Sequence, residues 1–446
     1  MLRKFSFFLF SFSLIFFSCN PKLDIPEPSQ GDADFTKFIS IGDNYLTGYQ
    51  NGALFKKGQE KSIPALLAEQ FSLVGCGPFN QPLIHDEKGL GLNLKPWESI
   101  FVQKSKLGYK TDCEGVSSLS PLKDSISVSS ANIYLQGVAG NSFQNLSVPY
   151  AKTPQLFDTA FSLSYAQGNS NPFYYRFAGN SGFSKIYIDA RVQNASFFSV
   201  WTGMEDIYSY ARNGGYNQTI LPAFSFSNYL DTIITGLMLQ GAKGVIANIP
   251  DLNTIPFFTT IPWNALDLTQ NKADSLNNLT GNLFNFIAGK NGFVIEYPNG
   301  SGNFRKMKEG EYILLTVPLD SIKCDFLGVF TPMPDRYVLD SSEVAIVQNT
   351  ITTYNAFVSQ KASQYNLALV DANSYFKNVK TGIKWDGVDF NSTFVSGGFF
   401  SLDGYHPNQK GYALIANEFI KAINAKYNST IPPINCFDCD GIIFPQ

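Results

Sequence analysis

Five short runs of the chain, residues 38–42, 133–137, 197–201, 244–249 and 367–370, are apolar through most of their length and separated by stretches with helical spacing. Such runs suit strands covered on both faces, as in a parallel sheet, rather than the alternating pattern of a sheet with one wet face. The clearest intervening helix is at residues 341–365. There Asp340 and Glu343 make a capping-box pattern, and Val344, Val347, Ile351, Tyr354 and Val358 recur at helical intervals. Residues 412–425, after Gly411, repeat the behaviour. Strand and helix in alternation predict an α/β fold: a three-layer, doubly wound parallel sheet whose sites lie at the carboxyl ends of its strands. Residues 142–189 and 251–334 are too long for ordinary connections and rich in Gly, Asn, Pro and aromatics, so they read as cap insertions.

Composition narrows the function classes. A chain of 446 residues with 44% hydrophobic and 15% charged residues is too apolar to be disordered. A formal net charge of −3 with 33 Lys+Arg lacks the basic footprint of a nucleic-acid binder, so no nucleic-acid partner is expected. Only two histidines are present, which argues against a His-rich metal site. No metal and no cofactor are expected.

The amino terminus reads as an address. Arg3 and Lys4 precede an apolar run at residues 5–17 that is shorter than the ~20 residues a spanning helix needs. It ends at Ser18-Cys19, a small residue before a cysteine, as in a bacterial lipobox; an ordinary signal peptide with an unrelated cysteine is the other reading. The predicted organisation is a signal peptide at 1–18, a lipidated Cys19 opening a flexible tether at 19–34, and one globule at 35–446. The expected location is the cell envelope, as an outer-membrane lipoprotein facing the periplasm or the outside, with membrane contact through the lipid. In that oxidising setting Cys436 and Cys439 are the candidate local disulfide, a zinc knuckle being the alternative. The pairing of Cys76, Cys113 and Cys324 stays open.

His406 is the natural starting point for chemistry. It lies in Phe400-Ser401-Leu402-Asp403-Gly404-Tyr405-His406-Pro407, before a predicted helix. An Asp three residues before a His on such a loop can turn its carboxylate onto the ring and fix the tautomer of a general base. His85, in Leu83-Ile84-His85-Asp86, shows no comparable partner pattern.

Three further blocks follow predicted strands: Gly42-Asp43-Asn44-Tyr45-Leu46-Thr47-Gly48-Tyr49, Gly137-Val138-Ala139-Gly140-Asn141 and Gly203-Met204-Glu205-Asp206. With Asp403-Gly404-Tyr405-His406 they resemble the ordered motifs of the SGNH/GDSL hydrolase family, and most closely its lipoprotein branch in Bacteroidetes. The resemblance spans nearly the whole mature chain. It implies a flavodoxin-like fold and the following roles. Asp403 and His406 match the triad's acid and base, and Gly140 matches the glycine whose N–H helps hold the oxyanion. Asn44 stands where the family places its serine nucleophile, and Glu205 where it places the oxyanion-hole asparagine.

Both replacements are chemically severe. An amide has no hydroxyl to deprotonate, and losing the serine nucleophile costs roughly six orders of magnitude in turnover in subtilisin. A carboxylate at the oxyanion position repels developing charge, where a missing donor alone costs about 10²–10³. The expectation is a catalytically impaired protein with a binding or scaffolding role toward a glycan or protein partner. The alternative is an active carboxyl-ester hydrolase, such as an esterase, lipase or deacetylase, using a displaced hydroxyl from Thr47, Ser40 or Ser142. A third reading gathers Asp43, Glu205, Asp206 and Asp403 around a cationic guest or divalent ion.

Overall fold

The computed structural model describes residues 26–92, 101–138, 142–164, 171–179, 182–298 and 300–445. Four parallel strands form the central sheet: β1 (Phe38–Gly42), β2 (Phe197–Trp201), β3 (Lys243–Ala247) and β4 (Ala368–Val370), in that spatial order. Gly42 pairs with Trp201, Val200 with Ile246, and Ala247 with Val370. Every residue of β1 and β2 is buried, which is why their sequences carry no polar alternation. The one polar pair inside, Ser40 and Ser199, satisfies itself at 2.8 Å.

Residues 144–148 run beside β1 as a fifth, loosely bonded edge. Ser40 N–H donates to Gln144 O at 2.9 Å, Leu146 N–H to Ser40 O at 2.8 Å, and Val148 N–H to Gly42 O at 3.1 Å, with a parallel bridge from Ser40 to Asn145. Counted in chain order, the layer then reads 2-1-3-4-5, the flavodoxin-like doubly wound order. This corrects the expectation of a strand at 133–137. Those residues fall at the end of a helix, Val128–Leu135, whose N-cap Ser127 accepts from Ser130 N–H.

Helices cover both faces. Ile63–Ser72 (α1) and Gln409–Tyr427 (α6) lie on one. Ile186–Arg191 (α2), Ala223–Leu237 (α4) and Ser341–Gln364 (α5) lie on the other, and Met204–Arg212 (α3) follows β2 at its carboxyl end. The Asp340/Glu343 capping box forms as predicted: Asp340 Oδ1 accepts from Ser342 and Glu343 N–H, and Glu343 accepts from Asp340 N–H. Val344, Val347, Ile351, Tyr354 and Val358 are the buried stripe of α5.

The insertions are more than caps. Residues 142–189 contain the edge segment and the start of α2, so part of that stretch belongs to the sheet layers. Within 251–334, Phe293, Ile295, Met307, Ile313, Val317 and Met333 nucleate a small core of their own. A hairpin of Lys106–Thr111 with Ser117–Leu122 is tied to the short helix Leu319–Cys324 by a Cys113–Cys324 disulfide. Ion pairs Lys110–Asp320 at 2.6 Å and Lys323–Glu114 at 2.8 Å reinforce that clasp. Cys436 and Cys439, the expected local disulfide, are instead free thiols packed in the main core beneath α6, where they behave as small apolar residues. Within the stretch 19–34 expected to be a tether, Glu27, Ser29 and Asp32 are hydrogen-bonded along residues 427–430. Cys19 lies outside the described residues. Among the described residues no helix is long and apolar enough to cross a membrane.

Candidate functional site

The site lies at the carboxyl ends of β1 and β2, where the strand order reverses and an open α/β sheet leaves its crevice. β1 ends in Gly42, where a Cβ would stand 2.1 Å from the carbonyl oxygen of Trp201, so only glycine lets the strands close. The chain then enters a one-turn 3-10 helix, Asn44–Leu46, which places the Asn44 side chain inward and fully buried. Gly203, at φ 98°, turns the chain from β2 into α3 and brings Glu205 opposite.

Asn44 is engaged at both ends. Its Nδ2 donates to Glu205 Oε2 at 2.8 Å, and its Oδ1 accepts from Tyr150 N–H at 2.7 Å. Glu205 receives a two-pronged bond from Arg212, two turns along α3, at 2.6 and 3.0 Å, with both side chains buried. The Arg212 guanidinium sits between the rings of Tyr150 and Tyr405, 5.0 and 4.8 Å from their centroids. Burial works against its charge, but Glu205 and Tyr405 beside it more than compensate and hold its proton more tightly than usual.

His406 and Asp403 meet as predicted. His406 Nδ1 lies 2.9 Å from Asp403 Oδ2, which also accepts from Gly52 N–H at 2.9 Å, while Oδ1 takes the N–H groups of Tyr405 and His406. Burial pushes the Asp403 carboxyl up, yet His406 and these hydrogen bonds outweigh it and hold it below its ordinary value. With Nδ1 bonded to the carboxylate, Nε2 is the free face of the imidazole, and it has no hydrogen-bond partner although the residue is 1% exposed. Tyr45, Tyr49, Tyr150 and Tyr405 box the ring, with centroids 4.6 to 6.2 Å away. Three of those rings are buried and Tyr150 is half-buried, so the imidazole is closed off from solvent.

The structure therefore brings Asn44, Glu205, Asp403 and His406 to one place. Gly140 lies outside the described residues. An N–H that meets the Asn44 side chain comes from Tyr150, just past the edge segment, at φ 61°, a conformation glycine adopts more readily. Misplacing the second strand hid Tyr150; its position two residues after the polar-apolar run at 144–148 was the available signal. Of the hydroxyls weighed as substitutes, Thr47 donates to Asn44 O, Ser40 is in the sheet against Ser199, and Ser142 is exposed. None is placed against His406.

The carboxylates also have separate occupations. Asp206 accepts from Thr153 N–H and hydroxyl, and burial raises its carboxyl to about 6. Burial, opposed in part by Glu205 N–H and reinforced by the Glu205 and Asp206 charges, pushes the Asp43 carboxyl well up. Among the described residues no group of three or more His, Cys, Asp or Glu is placed to hold a metal ion. The cation beside Glu205 is the chain's own Arg212. His85 lies 3.5 Å from the neighbouring Asp86 and stacks on Tyr134.

No family model and no curated protein matches this chain. Solved structures similar to it include an alpha/beta hydrolase enzyme from the metagenome of Lake Arreo, at 10% identity and TM-score 0.36, covering 88% of this chain and 96% of that one. A Geobacillus acetyl-xylooligosaccharide esterase, as a mutant, gives 9% identity, TM-score 0.36 and coverage of 88% and 96%. The lipase/acylhydrolase from Enterococcus faecalis gives 9%, 0.33, and coverage of 89% and 100%. Likeness at that level carries no weight for the chemistry, which rests on the residues themselves.

Proposed function

We propose that this chain is an SGNH/GDSL-hydrolase-like lipoprotein of the cell envelope whose hydrolase centre has become part of its core, and that it binds or scaffolds rather than hydrolyses esters. The observation that carries the reading is Asn44. It stands where the resemblance places the nucleophile, and both ends of its amide are bonded, to Tyr150 N–H and to the Glu205–Arg212 pair. A general base with no hydroxyl in reach cannot generate an acyl-enzyme, and a carboxylate in the oxyanion position opposes the transition state. Exposed aromatics such as Tyr109, Phe183 and Phe326 offer stacking surface to a glycan or protein partner.

The second reading, ester hydrolysis through a displaced nucleophile, is favoured by one feature: the Asp403–His406 dyad keeps its geometry and its free Nε2. Short-chain nitrophenyl esters and a fluorophosphonate probe separate the two. The expected result is turnover at the buffer rate and no labelling. Hydrolysis that disappears in His406→Ala would overturn the proposal.

A further inference from the structure

The amino edge of the sheet, at the opposite end of the strands from His406, holds the start of the described chain. Asp32 N–H donates to Tyr427 O at 2.7 Å, Thr430 N–H to Ser29 O at 2.9 Å, and the Asn428 amide to Asp32 Oδ2 at 2.7 Å. The Lys243 ammonium, at the first residue of β3, donates to the Asp32 carbonyl. Pro26 therefore begins at this edge. Cys19 lies seven residues earlier, a reach of at most about 25 Å fully extended. A lipid on Cys19 would bring this edge, and not the carboxyl edge, to the bilayer.

The surface found there is unlike a simple solvated end. Three large apolar side chains stand out at the connections that lead toward the strands' amino ends: Leu73 at 55% exposure, Val192 at 65% and Leu239 at 60%. Val192 and Leu239 line a depression of about 480 Å³ together with Ile188, Gly236 and Arg191. Lys37 and Arg191 are exposed here and, among the described residues, have no ion-pair partner; Lys243 and Lys426 are half-buried nearby. Glu27, Asp32 and Asp34 are acidic groups on the same side. Asp32 is bonded to Asn428, and Asp34 accepts from Thr36 N–H. Protruding apolar side chains among cations are the chemistry that meets an anionic lipid surface, apolar groups entering the headgroup boundary and cations facing phosphates.

We propose that the amino edge is a membrane-facing surface, with Val192, Leu239 and Leu73 entering the bilayer interface and Lys37 and Arg191 meeting anionic headgroups. It rests on the lipoprotein reading for what holds it there, and it adds an orientation: the His406 end points away from the membrane. The test expresses the full coding sequence and mixes the purified, processed protein with phosphatidylethanolamine vesicles containing a phosphatidylglycerol minority and brominated acyl chains. Tryptophan is introduced singly by Val192→Trp, Leu239→Trp and, at the far end, Phe224→Trp, a residue 73% exposed at the start of α4. The expected result is loss of the added emission at 192 and 239 on bromolipid vesicles, and none at 224. No quenching at 192 and 239, or equal quenching at 224, overturns the proposal. So does emission at 192 or 239 that shifts with protein concentration rather than with lipid, which assigns the face to a second copy. Intact mass reports separately whether Cys19 carries lipid, so a failed anchor and a failed face are told apart.

Discussion

Glu205 and Arg212 show how a buried carboxylate becomes tolerable. A lone carboxylate so deeply buried would cost several kcal/mol, and the pair repays this only because two hydrogen bonds and two flanking rings leave little charge uncompensated. Removing one partner strands the other. Arg212→Met is expected to destabilise the fold by about 3–5 kcal/mol in urea unfolding. The double variant Glu205→Gln, Arg212→Met should be more stable than that single one, because the orphan charge is gone. If the double variant is no better, the pair is not the unit described. The Asp403–His406 contact was legible in the sequence because it is local, three residues apart on one turn. Tyr150 and its N–H were not, because a contact 106 residues distant from Asn44 depends on which segment forms the sheet's edge.

Elements were readable where burial is two-sided. β1 and β2 advertised themselves as continuous apolar runs, and α5 by its stripe and its cap. The edge segment was missed because an edge has one neighbour: Gln144-Asn145-Leu146-Ser147-Val148 alternates, and its polar side chains bond to loops, as Asn145 does to Leu46 O. Residues 133–137 misled by composition, since a run of five cannot distinguish the end of a helix from a strand. The cap of α5 also carries a pH signal. Burial, with Asp340 and Asp335 nearby and only the Asp340 N–H opposing, raises the Glu343 carboxyl from 4.5 to about 8. A raised acid holds its proton better folded than unfolded, so its contribution is full below 4.5 and is lost as pH rises toward about 8. Glu343→Gln keeps the acceptor for Asp340 N–H and should flatten the decline of Tm across that window. An unchanged slope would place the pH dependence elsewhere, among Asp43, Asp206 and Asp335, whose carboxyls are also raised by burial.

Among the described residues the four-stranded parallel sheet carries two additions joined far from each other in sequence. The main core holds both faces of the sheet together, while the cluster around Phe293 and Met333 is separate. Cys113 and Cys324, 211 residues apart, link the hairpin to the second addition. A crosslink closing so long a loop contributes on the order of 2–4 kcal/mol, mainly by restricting the unfolded chain. Cys113→Ser should therefore leave the sheet folded but expose the hairpin near Val116 to limited proteolysis, read by mass spectrometry of the fragments. Equal resistance in both proteins would mean the ion pairs at Asp320 and Glu114 suffice.

The pinning of Asp32 to Tyr427, Asn428 and Lys243 has a mechanical consequence. A pull on the chain ahead of Pro26 does not load β1 first. It is taken by the few bonds that join residues 27–32 to residues 427–430 and to Lys243. The strands lie behind them, β1 paired with β2 at all five of its residues, so a pull on that end would meet residues 27–32 before it met the sheet.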